Sequence, residues 1–325
     1  MALPESDVPS VRFANVGGSG SWAYRFPEGV FAPGDPLAVR RLDGPLVFET
    51  PYGESPPFGL YELTDKRTGE RRELLRVWMH GLHPEAVATP DDPHAATPMR
   101  AAEKVFAVLR RAGVQWVLVD ASVGGINKLL DPWDLVIAHD YYDDMKRVPR
   151  LEVGYDLNLR HPYCRHLRRV LYEAAGAHLG RYTALAQRVA GRPVHPKIVR
   201  RGVYVCPDGP WFETYAQVAD YQHRGFDVVG KTVVPEVQLA RSIGAHFASL
   251  NPVVNPAEGL VDPDTGAVFP WTTADLLTIY DQYGPAISAI VLEAMARIDP
   301  EAPACLCAAQ FREGPVHDYH RYLEA

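Results

Sequence analysis

A glycine-rich turn, Gly17-Gly18-Ser19-Gly20, follows an apolar stretch that ends at Val16. Residues without bulk let backbone N–H groups close on an anion, and the Ser19 hydroxyl adds a donor, so this turn is a candidate phosphate site. Two more hydroxyls stand where strands end: Ser122, in the stretch VDASVGGIN from Val119 to Asn127, and Thr232, next to Lys231. Thr232 has an ordinary structural use, bonding to nearby backbone. Lys231 can likewise run its stem along apolar surface and leave its ammonium in water. If the turn does hold an anion, Lys231 would place a mobile cation beside it.

The order and spacing of three segments carry a family resemblance. Gly209-Pro210-Trp211-Phe212-Glu213-Thr214 is followed by Val229-Gly230-Lys231-Thr232-Val233-Val234-Pro235-Glu236 and then by Asn255. This resembles the trimeric purine nucleoside phosphorylases and 5'-methylthioadenosine phosphorylases. Upstream, Val16 to Gly20 sits where that family has its phosphate loop, Glu49-Thr50-Pro51-Tyr52-Gly53 is similar to its TP-x-G segment, and Pro132 to Ile137 with Asp140 is similar to its PGDLVI-x-D run. Pro162 to Ala174 reads most like the methylthioadenosine branch.

The resemblance implies phosphorolysis of a purine nucleoside, with inorganic phosphate as co-substrate, no other cofactor, no metal, and a homotrimer whose sites borrow a side chain from the stretch Arg147 to His166 of a neighbour. Phosphate would be held by Ser19, Ser122 and Thr232. Glycosidic cleavage leaves electron density on the departing purine, so groups aimed at the base lower the barrier. Glu213 would accept N1–H of a 6-oxopurine and Asn255 would donate to O6 or N7, a pairing that resembles the 6-oxopurine branch. An acidic residue before a helix also has a purely structural use, satisfying backbone amides. Phe212 and Tyr204 would contact base and ribose.

Three departures bear on the substrate. Met79-His80-Gly81-Leu82-His83 lies where the family carries an Arg for phosphate; that Arg is absent, replaced by Met79 or deleted depending on where the gap falls, and His80 or His83 would keep a role. Lys231 stands where the family has Met, and with Arg100 it is a candidate replacement cation, or else a reader of an anionic substrate group. Thr273 aligns with the family His that grips the 5'-hydroxyl, which implies a 5'-modified sugar. Other readings of the same residues are a nucleoside hydrolase and a non-catalytic ligand-binding paralogue.

Composition narrows the partners. A formal charge of -7 disfavours nucleic acid or an anionic membrane, whose phosphates are met by clustered Lys and Arg. The N-terminal MALPESDVPS has neither a basic nor an apolar signal region and no long apolar run follows, so a cytoplasmic protein is expected. Cys164, Cys206, Cys305 and Cys307 are scattered, and Cys305-x-Cys307 lacks the zinc-ribbon spacing; reduced thiols are expected.

Positioning these groups requires an α/β architecture. Strands are predicted at 11–16, 115–119, 135–138, 203–206, 228–229 and 246–251, and helices at 98–112, 166–178, 215–225, 235–243 and 272–298. Strands spaced by helices argue for a central mixed sheet flanked by helices, here as one domain over residues 1–325. Pro27–Pro57, Pro84–Pro98 and Pro256–Pro270 are expected to be loops.

Overall fold

A computed structural model describes residues 2–83, 97–145, 149, 157–207, 211–261, 265–268, 271–301 and 303–307. The strands, in chain order, are β1 (Phe13–Val16), β2 (Leu37–Leu46), β3 (Phe58–Asp65), β4 (Arg71–Val77), β5 (Trp116–Asp120), β6 (Val123–Gly125), β7 (Leu135–Ile137), β8 (Asp140–Asp143), β9 (Ile198–Val199), β10 (Val203–Cys206), β11 (Val228–Val229) and β12 (His246–Pro256). The helices are α1 (Pro98–Ala112), α2 (Arg165–Ala190), α3 (Tyr215–His223), α4 (Val233–Ser242) and α5 (Thr273–Ala296).

The strands form one twelve-stranded mixed sheet in the order β2-β3-β4-β1-β5-β12-β6-β11-β10-β8, with β7 on β12 and β9 on β7. Strand β5 shows why both faces must be covered. All five of its residues are buried, with Trp116 and Leu118 turned to one core and Val117 and Val119 to the other. The first core is closed by α2 and α5 through Leu167, Leu171, Ile287 and Ile290, and the second by α1 and α4 through Phe106, Leu109, Val237 and Leu239. Each such fully buried side chain is worth about 1.5–3 kcal/mol against exposure.

Helix boundaries follow local chemistry. Thr97 caps α1 by accepting from Arg100 N, Pro98 occupies the first turn, and Gly113 ends the helix with left-handed backbone at φ 75°. Thr272 and Asp275 form a reciprocal capping box at the start of α5. Helix α2 runs well beyond the predicted 166–178, because its packing against α5 continues through Tyr182 and Ala186. The expectation of a loop over Pro27–Pro57 is corrected by β2, a ten-residue strand at the end of the sheet order. Its burial is irregular and it contains Gly44-Pro45, features an edge strand tolerates and a central one does not.

Strands β4, β1, β5 and β12 run parallel, so the turns after Val16, Val77 and Asp120 gather at one end. In such sheets the crevice outside the carboxyl ends of the strands is where ligands bind. β12 also crosses between two sets of partners. Its first half pairs with β5 and β7, its register shifts between Val253 and Asn255, and its last residues pair with β6. That shift carries Asn255 to the mouth of the crevice beside Gly124.

Candidate active site

The loop after β1 and the turn after β4 are laced together. Gly17 N donates to Val77 O at 2.9 Å, His80 N to Gly17 O at 2.8 Å, and Met79 N to Ser21 Oγ at 3.0 Å, while Ser21 Oγ donates to Gly18 O at 2.6 Å. Gly18 N donates to Asp120 Oδ2 at 2.8 Å. A Cβ at Gly18 would collide with the Asp120 carbonyl oxygen, so the glycine is required by this close approach. Met79 and His80 both hold left-handed backbone, at φ 45° and 54°. Such residues cost about 1–3 kcal/mol each and persist where surrounding structure over-determines them, commonly at functional sites.

His80 is the centre of that arrangement. Its ring is buried, with Nδ1 2.8 Å from Glu236 Oε1 and Nε2 3.0 Å from Thr232 Oγ1. Burial works to lower the imidazole pKa, but the Glu236 carboxylate and its hydrogen bond, with Asp120 behind, outweigh it and the pKa is raised. Glu236 is itself pushed up by burial, against His80, so the two titrate as a pair. The imidazolium form of His80 donates from both nitrogens, leaving the Thr232 hydroxyl proton to point outward to an acceptor. Glu236 thus orients His80, and His80 sets the donor state of Thr232.

On the α5 side, Ser122 Oγ lies 2.7 Å from Tyr283 OH, and burial raises the Tyr280 pKa while the nearby Ser122 and Ser19 hydroxyls act to lower it. The predicted phosphate residues Ser19 and Ser122 are therefore brought together, by two tyrosines one turn apart on α5. Behind the glycine loop lies Arg76, fully buried in β4. Its Nε donates to Asn15 Oδ1 at 2.8 Å and its guanidinium rests 4.0 Å from the Phe26 ring centroid. Nη2 would meet a Cβ on Gly17 at 2.9 Å, and Nη1 has no hydrogen-bond partner among the described residues. A permanent positive charge thus backs the loop in a low-dielectric setting, where it acts strongly on an anion.

The base-side candidates are arranged differently from expectation. Glu213 is buried, and Lys231 Nζ lies 3.1 Å from its Oε1, close enough for an ion pair though not aligned as a hydrogen bond. Lys231 Nζ also donates to the Trp211 carbonyl. The ammonium is thus directed to the base-side carboxylate instead of to Thr232, its neighbour in sequence. Glu258 lies near the same carboxylate: burial raises its pKa first, and the charge of Glu213 raises it further. Asn255 is buried, with Nδ2 donating to Pro256 O at 2.7 Å. Phe212 is half exposed and meets Trp271 edge-on at 5.3 Å.

Four further predicted residues take other positions. Tyr204 is fully buried, its hydroxyl accepting from Thr232 N at 3.4 Å under Gly230, so it supports the turn from beneath. Arg100 pairs with Glu103 at 2.8 Å on α1, which neutralises its charge locally. His83 is exposed, and Thr273 is exposed on the first turn of α5. Gly209, Pro210 and most of Arg147–Asp156 lie outside the described residues. The residues that sequence reasoning missed are Asp120, Arg76, Glu236, Tyr280 and Tyr283. Glu236 was visible in the Pro-Glu motif without a role, whereas the α5 tyrosines lie some 160 residues from Ser122 and no local pattern marks them.

All four cysteines are free thiols, but they are not all scattered in space. Sequence distance hid a cluster: Cys164, Cys305 and Cys307 meet His246 at the far end of β12.

A sequence model of the phosphorylase superfamily matches residues 64–296. The chain is 28% identical over 310 residues to a protein of Dictyoglomus turgidum described as a probable 6-oxopurine nucleoside phosphorylase, covering 93% of this chain and 97% of the relative. It is 28% identical over 306 residues to the S-methyl-5'-thioadenosine phosphorylase of Thermococcus kodakarensis, covering 91% and 96%. Among solved structures, the methylthioadenosine phosphorylase of Schistosoma mansoni without ligand shares the fold, at a TM-score of 0.63 and 20% identity over 94% of this chain and 99% of the other.

Proposed function

Because the chain belongs to the phosphorylase superfamily, we propose that it is a pentosyltransferase that cleaves the N-glycosidic bond of a purine nucleoside with inorganic phosphate, releasing the free purine and ribose 1-phosphate or its 5-modified analogue. The observation that carries this reading is the Glu236–His80–Thr232 chain, held on strained backbone against the glycine loop.

Phosphate is assigned to the space bounded by the Gly17–Ser19 turn, Ser122 and Thr232. His80 keeps the Thr232 hydroxyl available as a donor, and Arg76 supplies positive potential from behind the loop. In this reading Arg76 takes over the charge that the family Arg supplies from the position of Met79, while Lys231 and Arg100, already engaged by Glu213 and Glu103, do not. Phosphate would enter from the α face of C1'. As the bond lengthens, the sugar gains oxocarbenium character and the purine gains negative charge.

Glu213 and Asn255 are assigned to the base. A carboxylate is acceptor-only. It matches the N1–H donor of a 6-oxopurine and opposes the N1 lone pair of adenine. Lys231, 3.1 Å from Glu213 Oε1, adds a donor beside that acceptor, complementary to the O6/N1–H edge of a lactam. Phe212 would stack or edge against the ring. Among the described residues no helix is long and apolar enough to cross a membrane. A homotrimer in the cytoplasm completes the reading by resemblance; light scattering that shows a stable monomer would count against the trimer.

The experiment is purine release from inosine, 5'-methylthioinosine, adenosine and 5'-methylthioadenosine, each with and without phosphate. Phosphate-dependent release of hypoxanthine is expected. Equal rates without phosphate would make the protein a hydrolase, and preference for the 6-amino nucleosides would overturn the role of Glu213.

A further inference from the structure

Far from the crevice, three thiols and an imidazole converge. Cys164 caps the start of α2, His246 opens β12, and Cys305 and Cys307 lie in the segment that follows α5. Their ligand atoms all lie within 4.8 Å of one another. His246 Nδ1 is 3.4 Å from Cys164 Sγ and 3.3 Å from Cys305 Sγ. Around a tetrahedral zinc, with Zn–S about 2.3 Å and Zn–N about 2.0–2.1 Å, neighbouring sulfur and nitrogen ligands stand about 3.5 Å apart and sulfurs about 3.8 Å apart. The observed spacing needs only small side-chain adjustments to reach that arrangement.

The surroundings are those of a built site. Cys164, Cys307 and His246 are buried, and the imidazole is fixed by Trp116, which stacks on it with ring centroids 3.9 Å apart and planes 12° from parallel. Arg241, buried beside the cluster, donates to the Cys307 carbonyl at 3.3 Å and to the His161 carbonyl at 3.0 Å. Three thiolates and a divalent cation leave one net negative charge, which this guanidinium would offset. Outer groups of this kind tune and orient metal ligands. Cys164 N also donates to Phe247 O at 2.7 Å, so two of the four ligands sit on backbones already bonded to each other.

We propose that Cys164, His246, Cys305 and Cys307 bind one zinc ion, closing a structural site that pins the segment after α5 to the start of α2 and of β12. With all four positions filled by protein, the site has no open place for substrate. Nine residues of strand, about 30 Å at 3.3 Å per residue, separate His246 from Asn255. The metal would therefore act on stability and not on the reaction.

The test is the zinc content of the untagged wild-type protein, purified under reductant without chelator and measured by plasma mass spectrometry. About one zinc per chain is expected, and mercurial titration should release it. The double variant Cys305→Ser/Cys307→Ser should lose it and melt at lower temperature, with kcat/KM at low temperature unchanged. Cobalt substitution, giving the visible bands of a tetrahedral thiolate site, reads the same geometry without any variant. Wild-type protein that contains no zinc and takes up neither zinc nor cobalt after reduction would overturn the proposal, and so would a disulfide among these cysteines in freshly purified protein. Zinc retained by the double variant would overturn the ligand assignment.

Discussion

Replacing Lys231 by Met restores the residue that the family carries, and the structure says which half of the reaction should suffer. The ammonium stands 3.1 Å from Glu213 Oε1. By Coulomb's law, at an effective dielectric of about 20, this attraction is roughly 5 kcal/mol. Much of it is offset, because the side chain of Lys231 keeps 25% of its exposure and Glu213 lost its hydration on burial. A net loss of about 1.4–3 kcal/mol in the transition state is therefore expected when the cation is removed. At 1.36 kcal/mol per tenfold, that is roughly 10- to 150-fold in kcat/KM for inosine. The KM for phosphate should change by less than about threefold, since no neutral or charged phosphate contact is removed. The assay is steady-state hypoxanthine release, varying inosine at saturating phosphate and then phosphate at saturating inosine. A tenfold rise in the phosphate KM with inosine kinetics intact would refute the reasoning and return Lys231 to the anion.

Glu236→Gln removes the charge that raises the His80 pKa. The sign follows from the donor state: the contribution through Thr232 is present while His80 is protonated and is lost as pH rises through its raised pKa. After correction for phosphate's own ionisation, the phosphate KM of the wild type should rise at alkaline pH. In the variant that rise should move to lower pH, and an unmoved profile would disconnect the pair from phosphate. Asn255→Ala should cost roughly 10- to 1000-fold in kcat/KM for a 6-oxopurine nucleoside, as loss of a preorganised donor does; an unchanged value would place the purine elsewhere. Gly18→Ala forces a methyl against the Asp120 carbonyl and should destabilise by about 1–3 kcal/mol in urea unfolding. Tyr283→Phe deletes the partner of Ser122 and should weaken phosphate or nucleoside binding by roughly 2- to 10-fold, about 0.5–1.5 kcal/mol.

Local pattern was enough for the α/β class and for most helices, because capping residues and helical periodicity are written within a few positions of where they act. Thr97-Pro98 and Gly113 bracket α1, and Thr272 opens α5, within a residue of expectation. The family itself was legible in the Gly17–Gly20, Phe212–Thr214 and Thr232–Glu236 segments, since these motifs are short and ordered along the chain. Tertiary structure decided what those segments do to one another. Whether Lys231 faces Thr232 or Glu213 depends on how the turn after β11 meets the segment after β10, which adjacency in sequence does not encode. Tyr283 reaches Ser122 only because α5 packs across the end of β5. Arg76, a fully buried cation in β4, lies against the glycine loop only because Gly17 leaves room for its guanidinium. The cysteines carry the same lesson: Cys164 and Cys305 are 141 positions apart, and both contact His246 because the start of α2 and the segment after α5 meet at the amino end of the central strand β12. Charge and ligand geometry act through space over a few ångströms, and only the packed fold sets those distances.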